Sequence, residues 1–238
     1  MKRFKLTENI IFENEDFMAV NKPPHLSCLH DRSIRSNLLD IVRAYHEDAQ
    51  LCHRIDKETS GLVLVAKNND TYKKINRLFE KRTISKTYAA LVHGRHFFEN
   101  EHIDLSISTT SRGKARIGGK NAKYAETIVN TSEAFKSFSL VECNPITGRL
   151  HQIRVHLKAF RAPIVGDTIY GEGPSYLSDM KRNFNLKDDE NERPLIGRTA
   201  LHAWKVSFEL DGAPYTLEAD YPKDFSVALK LIRKYNAL

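Results

Sequence analysis

Apolar positions along the chain alternate with polar ones in short runs, and helical repeats lie between those runs. Ile10-Ile11-Phe12 and Phe17-Met18-Ala19-Val20 predict two short strands joined through the turn-prone Asn14-Glu15-Asp16. Lys22-Pro23-Pro24 ends the second strand, because proline cannot donate to a sheet ladder. Leu38, Leu39, Ile41, Val42 and Tyr45 recur at helical spacing, with Ser36 or Asn37 as the N-cap. A buried strand follows from Leu62 to Ala66. A helix then runs from about Asp70 to Lys81, with Tyr72, Ile75, Leu78 and Phe79 on one face, and a long strand from Ile84 to Val92 ends at Gly94.

The second half is richer in strands. Tyr124 to Val129 and Phe138 to Cys143 are the best of them. Pro145, Thr147 and Gly148 make a turn into a helix from about Leu150 to Phe160, which Thr147 is placed to cap. Residues 172 to 197 have the Gly, Pro, Ser, Asp and Asn content of a loop insertion. Leu201 to Leu210 and Tyr215 to Ala219 pair as a hairpin through Asp211-Gly212. Phe225, Ala228, Leu229, Ile232 and Tyr235 define a closing amphipathic helix. Adjacent strands with dispersed helices imply an α+β fold, a mixed and mostly antiparallel sheet core flanked by helices. With no repeat, low-complexity segment or clean linker, residues 1–238 are expected to form a single catalytic domain.

Composition narrows the classes. At 238 residues, with 41% hydrophobic and 9% aromatic content, the chain can bury a substantial core. Its apolar runs are far too short to span a membrane, and the opening MKRFKLTENIIF lacks the apolar stretch of a signal peptide. Cys28, Cys52 and Cys143 are too few and scattered for a disulfide framework or a zinc site, which implies a reduced, cytoplasmic setting. A net charge of +7 favours a polyanionic partner such as RNA. The cations also cluster: Lys73, Lys74, Arg77, Lys81, Arg82 and Lys86 crowd one stretch, and Arg112, Lys114, Arg116, Lys120 and Lys123 another. Each cluster suits phosphate contacts along an extended ligand, and each also suits a solvated face.

Two segments carry candidate chemistry. In His53-Arg54-Ile55-Asp56-Lys57-Glu58-Thr59-Ser60-Gly61 a carboxylate sits between cations, in a loop leading into a buried strand. Nearby positive charge lets such a carboxylate stay ionised while largely shielded from water, as a nucleophile requires; a solvated charge run is the plainer reading. The second segment is Asn144-Pro145-Ile146-Thr147-Gly148-Arg149-Leu150-His151-Gln152-Ile153-Arg154-Val155-His156. Its turn opens a helix bearing donors suited to phosphate or carboxylate. His151 and His156 lie about 140° apart around an ideal helix, and no Cys/His pairing accompanies them, so no metal is expected.

The HRIDKETSG string resembles the catalytic motif of the RluA family of RNA pseudouridine synthases. About ninety residues on, TGRLHQIRVH with Ala162-Pro163-Ile164-Val165-Gly166-Asp167-Thr168-Ile169-Tyr170-Gly171 resembles the family's second signature. Lys86 to Gly94, Thr199 to Ala203 and the opening IIFENEDFMAVNKPP fit too, so the resemblance spans nearly the whole chain. It implies the pseudouridine synthase fold, an rRNA or tRNA substrate, and an isomerisation that needs neither cofactor nor metal. Asp56 aligns with the nucleophile. Attack at C1′, attack at C6 and deprotonation of the sugar all need its ionised carboxylate. Tyr88 aligns with the active-site tyrosine, and Arg54 with the residue that enters the base stack. Arg154 is the expected cation beside Asp56, with Arg149 the runner-up. His53, Lys86, Arg149, His151 and Gln152 are expected to contact the RNA or help extrude its base. The family usually has glycine where His25 stands, and no N-terminal extension accommodates an S4-type domain, so the chain resembles the compact branch. No obligatory protein partner is implied. The alternative is an RNA-binding paralogue that has lost turnover.

Overall fold

The computed structural model of the protein describes residues 4–30, 36–111, 113–185 and 191–238. The chain divides into two compact units, Met1–Tyr88 with His202–Tyr221, and Ala89–Leu201 with Pro222–Leu238. Among the described residues no helix is long and apolar enough to cross a membrane.

In the first unit β1 (Ile10–Glu13) pairs antiparallel with β2 (Phe17–Lys22). The expected turn is closed by the Asn14 side chain, which accepts from the N–H groups of Asp16 and Phe17 at 3.0 and 2.8 Å. β2 is antiparallel to β4 (Ser60–Ala66), and the two-residue β3 (Gln50–Leu51) is antiparallel to the end of β4. β11 (Leu201–Leu210) lies parallel to β4 at His202↔Ser60, and β12 (Ala213–Glu218) returns antiparallel along β11. The hairpin turn has Asp211 and Gly212 both at positive φ, 52° and 81°, as a two-residue loop of matching twist requires.

All seven residues of β4 are buried, because both faces of the strand are covered. Leu62, Leu64 and Ala66 join Phe17 and Ala19 in a core completed by Ile75 of α2 (Asn69–Glu80) and by Val206, Phe208 and Leu217 of the hairpin. The alternate residues Val63 and Val65 join Met18 and Val20 in a second core, completed by Leu38 and Val42 of α1 (Leu38–Tyr45). Asn37 caps α1 by accepting from Asp40 N–H at 3.0 Å, and Asn68 caps α2 by accepting from Thr71 N–H at 2.8 Å.

The second unit takes the end of β5 (Ser85–His93). Next to it lies β10 (Phe138–Pro145), then β9 (Glu126–Ala134), then β6 (Glu101–Asp104), with β9 antiparallel to both β10 and β6. β7 (Ile107–Thr109) and β8 (Ala115–Ile117) form a separate antiparallel pair. The helices are α3 (Gln152–Ala159) and α4 (Lys223–Tyr235). β3, β6, β7 and β8 are not visible as apolar alternation. They are two to four residues long, and β6 carries a single apolar residue, Ile103. Within 172–197, residues 172–185 and 191–197 contain neither helix nor strand, in keeping with a loop insertion; residues 186–190 lie outside the described residues, as does Arg112 of the second basic stretch.

Candidate active site

The loop from Cys52 to Thr59 joins β3 to β4 and is tied down at both ends. Cys52 N–H donates to the Leu64 carbonyl at 2.9 Å, and Thr59 N–H donates to the Asp56 carbonyl at 3.1 Å. Between them Arg54 is exposed, Ile55 buried and Asp56 half-buried, the alternation of an extended stretch. Arg54 and Asp56 therefore open onto the same cavity of about 420 Å³. Its other wall is the segment after β2, from Ser27 to His30.

Lys22 ties these walls together. Its fully buried ammonium donates to the carbonyls of Pro23 and Leu26 at 2.9 Å and of Lys57 at 3.3 Å. The sequence reading missed Lys22 and the Ser27–His30 wall. The available signal was a lysine ending a largely apolar strand directly before two prolines. His25 has φ 65°, so the conformation that favours glycine is kept here by a residue with a side chain.

Tyr88 is half-buried and packs against the core of Met18, Val20, Ile55 and Val63. Burial pushes its phenol up, and the negative charge of Asp56 pushes it further, so the hydroxyl keeps its proton at neutral pH. Arg54, Asp56 and Tyr88 are thus brought to one place in the first unit. Cys52 is inert there, its thiol pushed up to about 12 by burial.

His53 has a different task from the RNA contact expected of it. Its Nε2 accepts from Leu64 N–H at 3.0 Å, and its ring packs 5.1 Å from that of Phe79. Burial, and then the charge of Lys86, hold its pKa down at about 3, so it is a neutral tie between loop and strand and offers phosphate no cation. Lys86 lies 5.8 Å above the Phe79 ring, half-buried, with its own pKa lowered by burial. A histidine whose pKa is depressed on folding contributes stability that is complete above about 6.5 and is lost as pH falls from there toward 3. Between pH 6.5 and 5 the loss is about 2 kcal/mol. His53→Gln keeps an acceptor for Leu64 and cannot titrate. Urea unfolding at both pH values should therefore show that much less acid destabilisation in the variant; identical pH dependence would place the proton elsewhere.

In the second unit the TGRLHQIRVH segment is largely a buried scaffold. The N-cap of α3 is His151, at φ 50° and without a side-chain cap bond, so Thr147 does not cap the helix. Thr147 instead donates to Gln152 Oε1 at 2.7 Å and accepts from Glu126 N–H at 3.0 Å. Gln152 Oε1 also accepts from Arg149 N–H, and its Nε2 donates to the Glu126 carbonyl and to Thr127 Oγ1. With its amide filled and its side chain buried, Gln152 holds the turn and offers nothing to RNA. Thr127 passes the network to His156 Nδ1 at 3.0 Å, and His156 Nε2 donates to the Leu105 carbonyl.

Arg154 is buried and clamped by Asp167, with Nε–Oδ2 at 2.6 Å and Nη2–Oδ1 at 2.8 Å, and it lies 5.0 Å over the Tyr170 ring. Burial alone would raise the Asp167 carboxyl. The Arg154 donors and charge, with the N–H groups of Tyr170 and Ile169, hold it below the usual range. Tyr170 hydroxyl accepts from Ala115 N–H at 2.8 Å and shares a hydrogen bond with His151 Nδ1 at 2.9 Å, which fixes the half-buried His151 ring. Asp167 and Tyr170 stood in the motif without a role; they orient Arg154 and His151. Arg149 stands apart from this cluster, its Nε donating to the Tyr124 carbonyl at 2.9 Å.

Against known proteins, the family model for RNA pseudouridylate synthase matches residues 16–159. An uncharacterized RNA pseudouridine synthase of Helicobacter pylori is 32% identical over 94% of this chain and 76% of its own length. A ribosomal large subunit pseudouridine synthase C of Rickettsia bellii is 33% identical over 69% of this chain, which spans only 57% of that relative. Among solved structures, the human RNA Pseudouridylate Synthase Domain Containing 4 superposes with a TM-score of 0.75 at 25% identity, over 96% of this chain and 94% of that one.

Proposed function

Since the chain belongs to the RNA pseudouridylate synthase family, a family of isomerases of the RluA type, we propose that it converts specific uridines in rRNA or tRNA to pseudouridine, with Asp56 as the nucleophile. The observation that carries this reading is the cavity shared by Arg54 and Asp56, with the protonated Tyr88 close enough to feel the aspartate's charge. The reaction breaks the N1–C1′ bond, turns the base and rejoins it through C5; C5 gives up its proton and N1 gains one, so the atoms balance within the nucleotide. Oxidation state is unchanged, so no redox cofactor is called for. Asp56 supplies the oxygen nucleophile, and Tyr88 offers a neutral hydroxyl and a ring face to the turning base. Arg154, oriented by Asp167, keeps a catalytic role on the strength of its motif. The Lys73–Lys86 stretch contributes less than its charge suggests, since Lys74 is paired with Asp211 at 2.6 Å and Lys86 is half-buried.

A stacked uridine hides its C1′ and C5, so the base must leave the stack at a cost of a few kcal/mol. The exposed guanidinium of Arg54 is flat and suited to filling the vacated space. With wild-type protein, transcripts bearing a target uridine gain pseudouridine without added cofactor. Arg54→Ala returns about 2 kcal/mol to the barrier on a structured stem-loop, slowing single turnovers roughly thirtyfold. A substrate whose target is already bulged out recovers most of that rate. Equal losses on both substrates would remove the extrusion role, and no product from wild type on any rRNA or tRNA transcript would remove the activity.

A further inference from the structure

The second unit holds another cavity of about 420 Å³, lined by Lys120, Lys123 and Arg149 together with Thr109, Asn121 and Gly148. We propose that it is a phosphate-anchoring site for the ribose-phosphate backbone of the RNA substrate, distinct from the pocket around Asp56. The inference rests on the RNA synthase reading above.

Four observations carry it. The first is charge: among the described residues three cations and no acid line the cavity. Lys120 and Lys123 are exposed and have no acidic partner among the described residues, unlike Lys74, Lys67 and Lys205. The second is construction. The 118–123 loop is strapped to β7 and the residue before it by Gly118 N–H to the Ser106 carbonyl at 2.7 Å, by Ser108 Oγ to the Gly118 carbonyl at 2.6 Å, and by paired Ile107 and Lys123 backbone bonds at 2.9 and 2.8 Å. Gly118, Gly119 and Asn121 all have positive φ, so the loop is a defined cradle that fixes where Lys120 and Lys123 begin.

The third observation is Arg149. Its Nε is spent on the Tyr124 carbonyl, which fixes the plane of the guanidinium and leaves its terminal nitrogens for a bidentate phosphate contact. The fourth is the rest of the lining. Among the described residues no aromatic side chain lines the cavity, so none of them stacks a base there. Thr109 and Asn121 offer exposed polar groups of the kind that meet a ribose 2′-hydroxyl. Cations without stacking platforms read backbone rather than sequence, so the site serves register and grip along the strand.

The test is binding of a fluorescently labelled RNA stem-loop by the full chain, titrated across salt. Each lost phosphate contact lowers the slope of log K against log salt by about 0.7 for single-stranded or loop RNA, so Lys120→Ala/Lys123→Ala/Arg149→Ala should lose about 2 units of slope. If the two proteins converge at 1 M salt, that is about a hundredfold weaker binding at 0.1 M. Lys120→Ala/Lys123→Ala, which spares the Arg149 bond to Tyr124, should lose about 1.4 units. Lys230→Ala, on the exposed face of α4, should lose none. A triple variant that melts like wild type yet keeps the full slope overturns the site, as does a loss equal to that of Lys230→Ala. The readout needs no turnover, so the two readings fail separately. A wild type that binds RNA without making pseudouridine, beside a triple variant of lower slope, upholds the anchor and defeats the activity.

Discussion

Asp56→Asn abolishes uridine isomerisation and leaves RNA affinity near that of wild type. The amide is nearly isosteric with the carboxylate and fits the same half-buried position beside Arg54, but it carries no anionic lone pair with which to attack or to take a proton. Loss of a covalent nucleophile costs several orders of magnitude in rate. Affinity rests chiefly on phosphate contacts elsewhere on the chain, so it is spared. Single-turnover rates on one transcript, with Kd measured on the same RNA, separate the two effects. Residual turnover above roughly a hundredth of wild type corresponds to a loss of less than about 2.7 kcal/mol, too little for a nucleophile.

Gly61→Ala is the second large effect, and it falls on folding. Gly61 has φ 111° in β4, directly opposite Ala203 of the parallel strand β11. A Cβ there would stand 2.2 Å from the Ala203 carbonyl oxygen, 2.7 Å from its carbon and 2.8 Å from its nitrogen. All three are backbone atoms, so no rotamer change relieves the overlap; β4 and β11 must part. That separation breaks the buried bond from Ser60 Oγ to His202 Nδ1, 2.9 Å long, whose ring is anchored through Nε2 to the Ala219 carbonyl. It also disturbs two cores at once, since β4 feeds both. Strain and lost packing together amount to about 4 kcal/mol or more, enough to leave little folded protein. Thermal melts and soluble yield measure it. A variant within about 1 kcal/mol of wild type would mean that the two strands part easily.

These residues also show how much of the molecule is written in local patterns. β2, β4, the β11–β12 hairpin and helices α1 to α4 are legible because alternation, continuous apolar runs, Asn caps and the Asp211-Gly212 turn each carry a local cause. The short strands β3, β6, β7 and β8 are not, because their pairing is set by partners far along the chain. In the site, Asp56 and Arg54 are legible as alternate residues of an extended loop, and the structure has them share a cavity. Lys22 is hidden because its partners are backbone carbonyls, which leave no trace in side-chain pattern. Gln152 and His53 misled the reading for a related reason: a polar side chain in a motif looks the same whether it meets a ligand or the protein's own backbone. Arg154 stands in the motif as the expected cation beside Asp56, and the motif does not display its clamp on Asp167, which depends on tertiary contact across a turn.

The most direct test of the central claim is nucleotide-resolution mapping of pseudouridine in rRNA and tRNA. Three strains are compared: one lacking this chain, one complemented with wild type, and one complemented with Asp56→Asn at equal protein level. The account predicts that defined uridines lose modification in the deletion strain, regain it with wild type, and stay unmodified with Asp56→Asn. Restoration by Asp56→Asn would contradict the assignment of the nucleophile. A map unchanged by the deletion would contradict the enzyme reading itself and leave an RNA-binding protein without turnover.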